Sequence, residues 1–141
     1  MAFRTLSPTY TTSPQITPGD MAAIAAAGYR MVICNRPDGE NPPDLASARL
    51  RAAAEAAGMA FVNNPVVGGM LTQANVDAQR AAIEAAHGPV FAYCASGNRS
   101  SMVWALATAA DRPTDDTIAA AARWGYNLEP IRDRIASLRG R

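Results

Sequence analysis

The chain has 141 residues, a formal net charge of +1, and 49% hydrophobic against 18% charged residues. This composition fits a single globular domain, 1–141, long enough to bury a real core. The near-neutral charge balance argues against nucleic acid or an anionic membrane as partner. No apolar run approaches the ~20 residues that span a bilayer, and Cys34 and Cys94 make no disulfide framework. The segment Met1 to Pro8 lacks an apolar signal core, so the expected location is cytoplasmic.

Residues 1–13 read as extended, with a short first strand around Tyr10 and Pro8 marking an edge or entry position. Thr17-Pro18 predicts a helix start, with Thr17 as N-cap and Asp20 following in the first turn; the helix runs to about Ala27 and stops at Gly28. Arg30 to Asn35 is a second strand, apolar through its middle as a doubly covered parallel strand is. Arg36 to Pro43 is a charged loop. Asp44 is expected to cap an Ala-rich helix ending at Gly58. Met59 to Asn63 is a third strand, and Asn64 to Leu71 a loop holding Gly68 and Gly69. Thr72 caps a helix to about His87. Pro89 to Tyr93 is a buried strand, and Ser101 to Ala110 turns helical. Thr114 is expected to cap a helix through Trp124, and Pro130 to Leu138 reads as a last amphipathic helix.

Strands alternating with helices predict an α/β fold: a three-layer sandwich with a small, mainly parallel sheet flanked by helices. In such sheets the ligand crevice lies beyond the carboxyl ends of the strands. Three loops of unusual content meet there: those after Asn35, Asn63 and Tyr93. Trp104, Trp124 and Tyr126 read as core or helix-packing residues. The sequence leaves the oligomeric state open.

The segment Cys94-Ala95-Ser96-Gly97-Asn98-Arg99-Ser100 carries the chemistry. It joins a buried strand to a helix start, where backbone N–H groups without intrahelical partners can converge on an anion. A free thiol titrates at about 8.5, and helix N-termini or arginine neighbours bring that to roughly 3.5–7.5. Cys94 is therefore the candidate nucleophile for an anionic electrophile, and Arg99 the candidate clamp, since its fork holds two oxygens of a tetrahedral anion. Gly97 permits positive φ and close approach of backbone to ligand. Ser100 either donates to the Cys94 sulfur or is a plain first-turn residue.

The order Cys, small Gly-containing loop, Arg, Ser resembles the catalytic loop of protein-tyrosine and dual-specificity cysteine phosphatases. Together with Val32-Ile33-Cys34-Asn35-Arg36-Pro37-Asp38-Gly39-Glu40, it resembles the phosphatase-like domain of beta-lactamase-hydrolase-like proteins, some members of which are labelled sulfur transferases. The resemblance covers roughly Ser13 to Thr108 and implies a cysteine-phosphatase-like fold with thiolate attack on a phosphate ester and a phosphocysteine intermediate. Two departures stand out. Four residues separate Cys94 from Arg99 where the phosphatase loop has five, and Tyr93 stands where those enzymes have His.

The resemblance also implies a general acid on the loop after the preceding strand, yet Asn64 to Leu71 holds no carboxylate. Asp38 is the nearest candidate acid, or a plain turn residue. Glu40 is expected to support the site by pairing with Arg99, with Arg36 beside it. Cys34 is either a core thiol or a redox partner for Cys94. Gly68-Gly69 is a simple turn or the hinge of a lid.

The expected substrate is an anionic small molecule or a phosphoprotein, and nothing here calls for a metal or cofactor. The shorter loop and the missing acid keep a rhodanese-like sulfurtransferase, working through a Cys94 persulfide, as the alternative. A non-catalytic anion-binding module is the third reading.

Overall fold

The computed structural model describes residues 3–140. Among them, the strands are β1 (Arg4–Ser7), β2 (Tyr10–Ser13), β3 (Met31–Cys34), β4 (Ala60–Asn63) and β5 (Val90–Tyr93). The α-helices are α1 (Met21–Ala26), α2 (Ser47–Ala56), α3 (Gln73–Ala85), α4 (Asn98–Ala107), α5 (Thr114–Ala122) and α6 (Arg132–Arg139). The strands make one sheet in the order β1-β2-β5-β3-β4. Every pairing is parallel except β1 with β2, a hairpin with an irregularity between Thr5 and Ser7. The architecture is the expected α/β sandwich with a mainly parallel sheet.

The strands β2, β3 and β5 are covered on both faces, and alternation sorts their side chains, while the edge strand β4 is partly exposed. Val32, Cys34, Phe91 and Tyr93 face α1 and α2, where they pack with Ile24 and Leu50. Met31, Ile33, Val90 and Ala92 face the other helices, where Trp104, Ile118 and Ile135 close the layer. The pairing register places Ser13, Tyr93, Cys34 and Asn63 in one row across the sheet. The parallel strands therefore end level, and the loops that leave them rise together at one edge.

Helix boundaries differ from expectation where local chemistry competes. The helix after Thr17 begins as a 3-10 turn, Pro18–Asp20, with the Thr17 N–H donating to Asp20 Oδ2 at 2.8 Å. Asp44 does not cap α2. It lies in a 3-10 turn, Pro43–Leu45, and the residue before α2 is Ala46. Proline disfavours helical φ/ψ in the residue preceding it, so Pro42-Pro43 delays the helix. The cap comes instead from Asp38: Oδ1 accepts from the Ser47 N–H at 2.8 Å and Oδ2 from Ser47 Oγ at 2.9 Å. Thr114 is the first residue inside α5 rather than its cap. Helix α4 starts earlier than Ser101, at Asn98, because Gly97 takes φ 99° and turns the chain in one residue.

Asp38→Ala removes the carboxylate that satisfies the start of α2. It is expected to lower stability by about 1 kcal/mol, the usual cost of losing a helix cap, read as a lower urea midpoint at unchanged slope.

Candidate active site

The β5–α4 loop is tied down by its own backbone. The Cys94 N–H donates to Ser13 O at 3.2 Å and the Gln15 N–H to Ala95 O at 3.1 Å, so the loop extends the β2–β5 pairing. Gly97 O accepts from Thr12 Oγ1 and from Ser101 Oγ, each at 2.7 Å. The Gly97 N–H, on the opposite side of that turn, donates to Cys94 Sγ at 3.1 Å. The first intrahelical bond of α4 runs from the Ser101 N–H to Gly97 O. The N–H groups of Asn98, Arg99 and Ser100 precede it, the position from which helix starts bind anions; the Asn98 N–H also reaches Ser96 Oγ at 3.2 Å.

Tyr126 closes the loop from outside. Its hydroxyl donates to Ser96 O at 2.8 Å and accepts from Arg4 Nη1 at 2.7 Å. Tyr126 packs in the core as expected, but no local signal in the sequence ties its hydroxyl to a loop 30 residues away. Its hydroxyl would lie 2.3 Å from a Cβ added at Gly97. Gly97 is thus required twice, by its backbone and by its neighbour.

Arg99 forks onto Glu40, with Nη1 on Oε2 and Nη2 on Oε1, both at 2.8 Å, and Nη1 also donates to Val66 O at 2.8 Å. Arg36 shares that carboxylate through Nε at 3.3 Å, and its Nη1 reaches Gln15 Oε1 at 3.3 Å. Hydrogen bonding to Arg99 holds the Glu40 carboxyl below the usual carboxylate range. The same bonds push the Arg99 guanidinium up, so both partners stay charged near neutral pH.

Beneath the loop lies a buried polar network that the sequence did not reveal. Ser100 Oγ donates to Asn35 Oδ1 at 2.9 Å. Gln79 Nε2 donates to Tyr10 Oη at 2.9 Å and to Asn35 Oδ1 at 3.2 Å. Gln79 Oε1 accepts from Asn35 Nδ2 and Asn64 Nδ2, both at 2.9 Å. Tyr10 Oη donates onward to Ser100 O at 2.9 Å. Burial pushes the Tyr10 phenol above its ordinary range, so it remains a donor.

The site therefore gathers Cys94, Gly97, Arg99, Glu40 and Arg36, with Ser100 bonded to Asn35. Asp38 has both oxygens engaged by Ser47. Cys34 and Cys94 are free, buried thiols. Cys34 packs in the α1–α2 layer, donates to Arg36 O at 3.3 Å, and is pushed up by burial. A groove of about 680 Å³ opens beside Arg99, lined by Ser96, Asn98, Glu40 and the Val66 to Thr72 segment. Cys94 has 0% of its surface exposed and lies under the loop rather than on the groove wall.

Residues 2–111 match the family described as the beta-lactamase hydrolase-like protein, phosphatase-like domain. The chain belongs to this family. A beta-lactamase hydrolase-like protein of Agrobacterium fabrum is 37% identical over 92 residues, 65% of this chain and 21% of the relative. One from Xylella fastidiosa is 40% identical over 88 residues, 62% of this chain and 20% of the relative. The phosphatase-like domain thus spans about a fifth of the length of the curated relatives it matches. Among solved structures, a candidate phosphatase from Neisseria meningitidis superposes with TM-score 0.82 at 37% identity, covering 99% of each chain. TpbA of P. aeruginosa, in complex with pTyr, shares the fold at TM-score 0.64 and 18% identity, over 95% of this chain and 80% of that one. The phosphatase-like domain has no helix, among its described residues, long and apolar enough to cross a membrane.

Gly97→Ala is expected to destabilise the domain by about 1–3 kcal/mol, because alanine must hold positive φ against Tyr126; urea unfolding checks this. A second expectation concerns pH. A carboxyl whose native pKa is depressed stabilises the fold fully above its unfolded value, about 4.3 for Glu, and loses that contribution as pH falls through the native value. The stability gap between wild type and Glu40→Gln, present at pH 7, should narrow as pH falls below about 4.

Proposed function

We propose that the domain hydrolyses phosphate monoesters by nucleophilic catalysis at Cys94. The observation that supports this reading is the Gly97 N–H on Cys94 Sγ at 3.1 Å, with Arg99 held at the start of the same helix. A phosphoryl group entering the loop meets the first-turn N–H groups and the edge of Arg99 that Glu40 and Val66 leave free, its Nε–H and second Nη2 proton, which orient it. Because Cys94 has no exposed surface, the phosphoryl group reaches Sγ only as the 95–98 loop opens around it. The sulfur attacks phosphorus, an S–P bond forms, and the P–O bond to the organic group breaks. Water then attacks the phosphocysteine, releasing inorganic phosphate and returning the thiolate.

The departing oxygen needs a proton unless it is stable as an anion. Glu40 is the acidic residue lining the groove, and its bonds to Arg99 keep it ionised, which makes it a poor donor. Asp38 is engaged at both oxygens by Ser47, and we assign it to anchoring α2. Aryl phosphates, whose leaving groups depart as anions, are therefore the favoured substrates.

That absent donor also favours a second reading. A persulfide on Cys94 formed from thiosulfate releases sulfite, which departs as an anion without a general acid. The sulfur then passes to an acceptor such as cyanide.

Three variants and two assays separate these readings. Wild type is expected to turn over an aryl phosphate; Cys94→Ser should abolish turnover, and Arg99→Ala should lower kcat/KM by about 10²–10³. Asp38→Asn is expected to keep the rate within about tenfold, whereas a loss of 10² or more reinstates Asp38 as the acid. Thiosulfate-to-cyanide transfer exceeding aryl phosphate turnover would replace hydrolysis with sulfur transfer.

A further inference from the structure

The groove beside Arg99 has a chemistry that the loop alone does not explain. Its volume, about 680 Å³, is that of a site for a small organic ligand. The β4–α3 loop forms one wall, where Val67 and Met70 are 52% and 65% exposed. They face each other across a tight turn at Gly68-Gly69 and bridge through their backbones. Met102 of α4 and Ile131, just before α6, add apolar surface to the same groove.

Arg134 of α6 shares this lining with Arg99. Its Nη1 donates to Leu71 O at 2.9 Å, which holds the half-buried guanidinium at the groove. Among the described residues Arg134 takes part in no ion pair. The acidic lining residue, Glu40, is already engaged by Arg99 and Arg36. The groove is thus an apolar slot with a bound cation at the loop and a second cation without an acidic partner. The family match ends at residue 111, so Ile131 and Arg134 lie beyond the matched segment.

We infer that the groove selects the organic part of the substrate: a compact apolar body, aromatic or short aliphatic, bearing a second negative charge that Arg134 receives. The substrate class is then a small phosphate monoester carrying a carboxylate or second phosphate. This inference rests on the phosphate-ester reading of the loop. A guanidinium already tethered by one bond loses little freedom on binding, and its remaining donors match a carboxylate fork.

The test uses three para-substituted phenyl phosphates whose side chains end in a carboxylate, a methyl group or an ammonium group. Wild type is expected to prefer the carboxylate over the methyl compound by about tenfold in kcat/KM, mainly through KM, with the ammonium compound last. The preference should shrink with added salt. Arg134→Gln should bring the carboxylate-to-methyl ratio close to unity, Arg134→Glu should invert it, and Arg134→Lys should restore part of it.

Equal kcat/KM for the three compounds in wild type, or a carboxylate preference that survives Arg134→Gln, overturns the inference. The wild-type series and its salt dependence decide the matter even if the variants fold poorly. If none of the three is hydrolysed, the hydrolase reading fails, and the groove is tested by titrating the same compounds onto Cys94→Ser by calorimetry. An affinity order of carboxylate, methyl, ammonium then supports the groove assignment; equal or undetectable binding overturns it.

Discussion

Gly97 stands where the sheet ends and α4 begins, and its φ of 99° is open at low cost only to glycine. That one backbone conformation sends its carbonyl toward Thr12 and Ser101 and its N–H toward Cys94. It also starts α4 at Asn98, so that Arg99 emerges in the first helical turn. A side chain at this position would collide with Tyr126. The rest of the site follows from this turn: the sulfur accepts from the Gly97 N–H, and the arginine points across the loop to Glu40.

The level ending of the parallel strands makes the turn useful. Because Ser13, Tyr93, Cys34 and Asn63 share a row, the segments that follow them are neighbours in space. One supplies Gln15, another Arg36 and Glu40, another Asn64 and Val66, and the last the Cys94 loop. Each contributes a group that could not be placed by local structure alone. The polar network of Asn35, Asn64, Gln79, Tyr10 and Ser100 fills the space beneath. Buried polar groups left unpaired there would cost about 1–3 kcal/mol each. A network satisfied at nearly every atom therefore fixes Ser100, and with it the start of α4, beneath the loop.

Much of the fold was legible because continuous apolar runs such as Met31 to Cys34 and Val90 to Tyr93 were bounded by glycine and proline. Of the β1–β2 hairpin, the strand at Tyr10 was legible, while β1 was read only as extended chain, since Arg4-Thr5-Leu6-Ser7 is short and Pro8 interrupts it. The start of α2 was misplaced because Asp44 has the right residue type, while the Pro42-Pro43 pair and the reach of Asp38 to Ser47 decide the outcome. Cys94, Gly97 and Arg99 stood out through spacing within one segment. Tyr126, Gln79 and Arg134 did not, because their roles come from contacts 30, 44 and 63 residues apart in the chain. A phenol at a helix end, a glutamine in a helix and an arginine in a basic tail carry no local mark of such contacts.

A covalent phosphoenzyme is the species on which the chemical account stands. Rapid mixing of the wild-type domain with an aryl phosphate, acid quenching, and mass spectrometry of the peptide bearing Cys94 reads it directly. The account predicts a phosphoryl adduct on that peptide, formed no more slowly than steady-state turnover and absent in Cys94→Ser. Turnover of the ester with no adduct at Cys94, or with equal rate in Cys94→Ser, would contradict it.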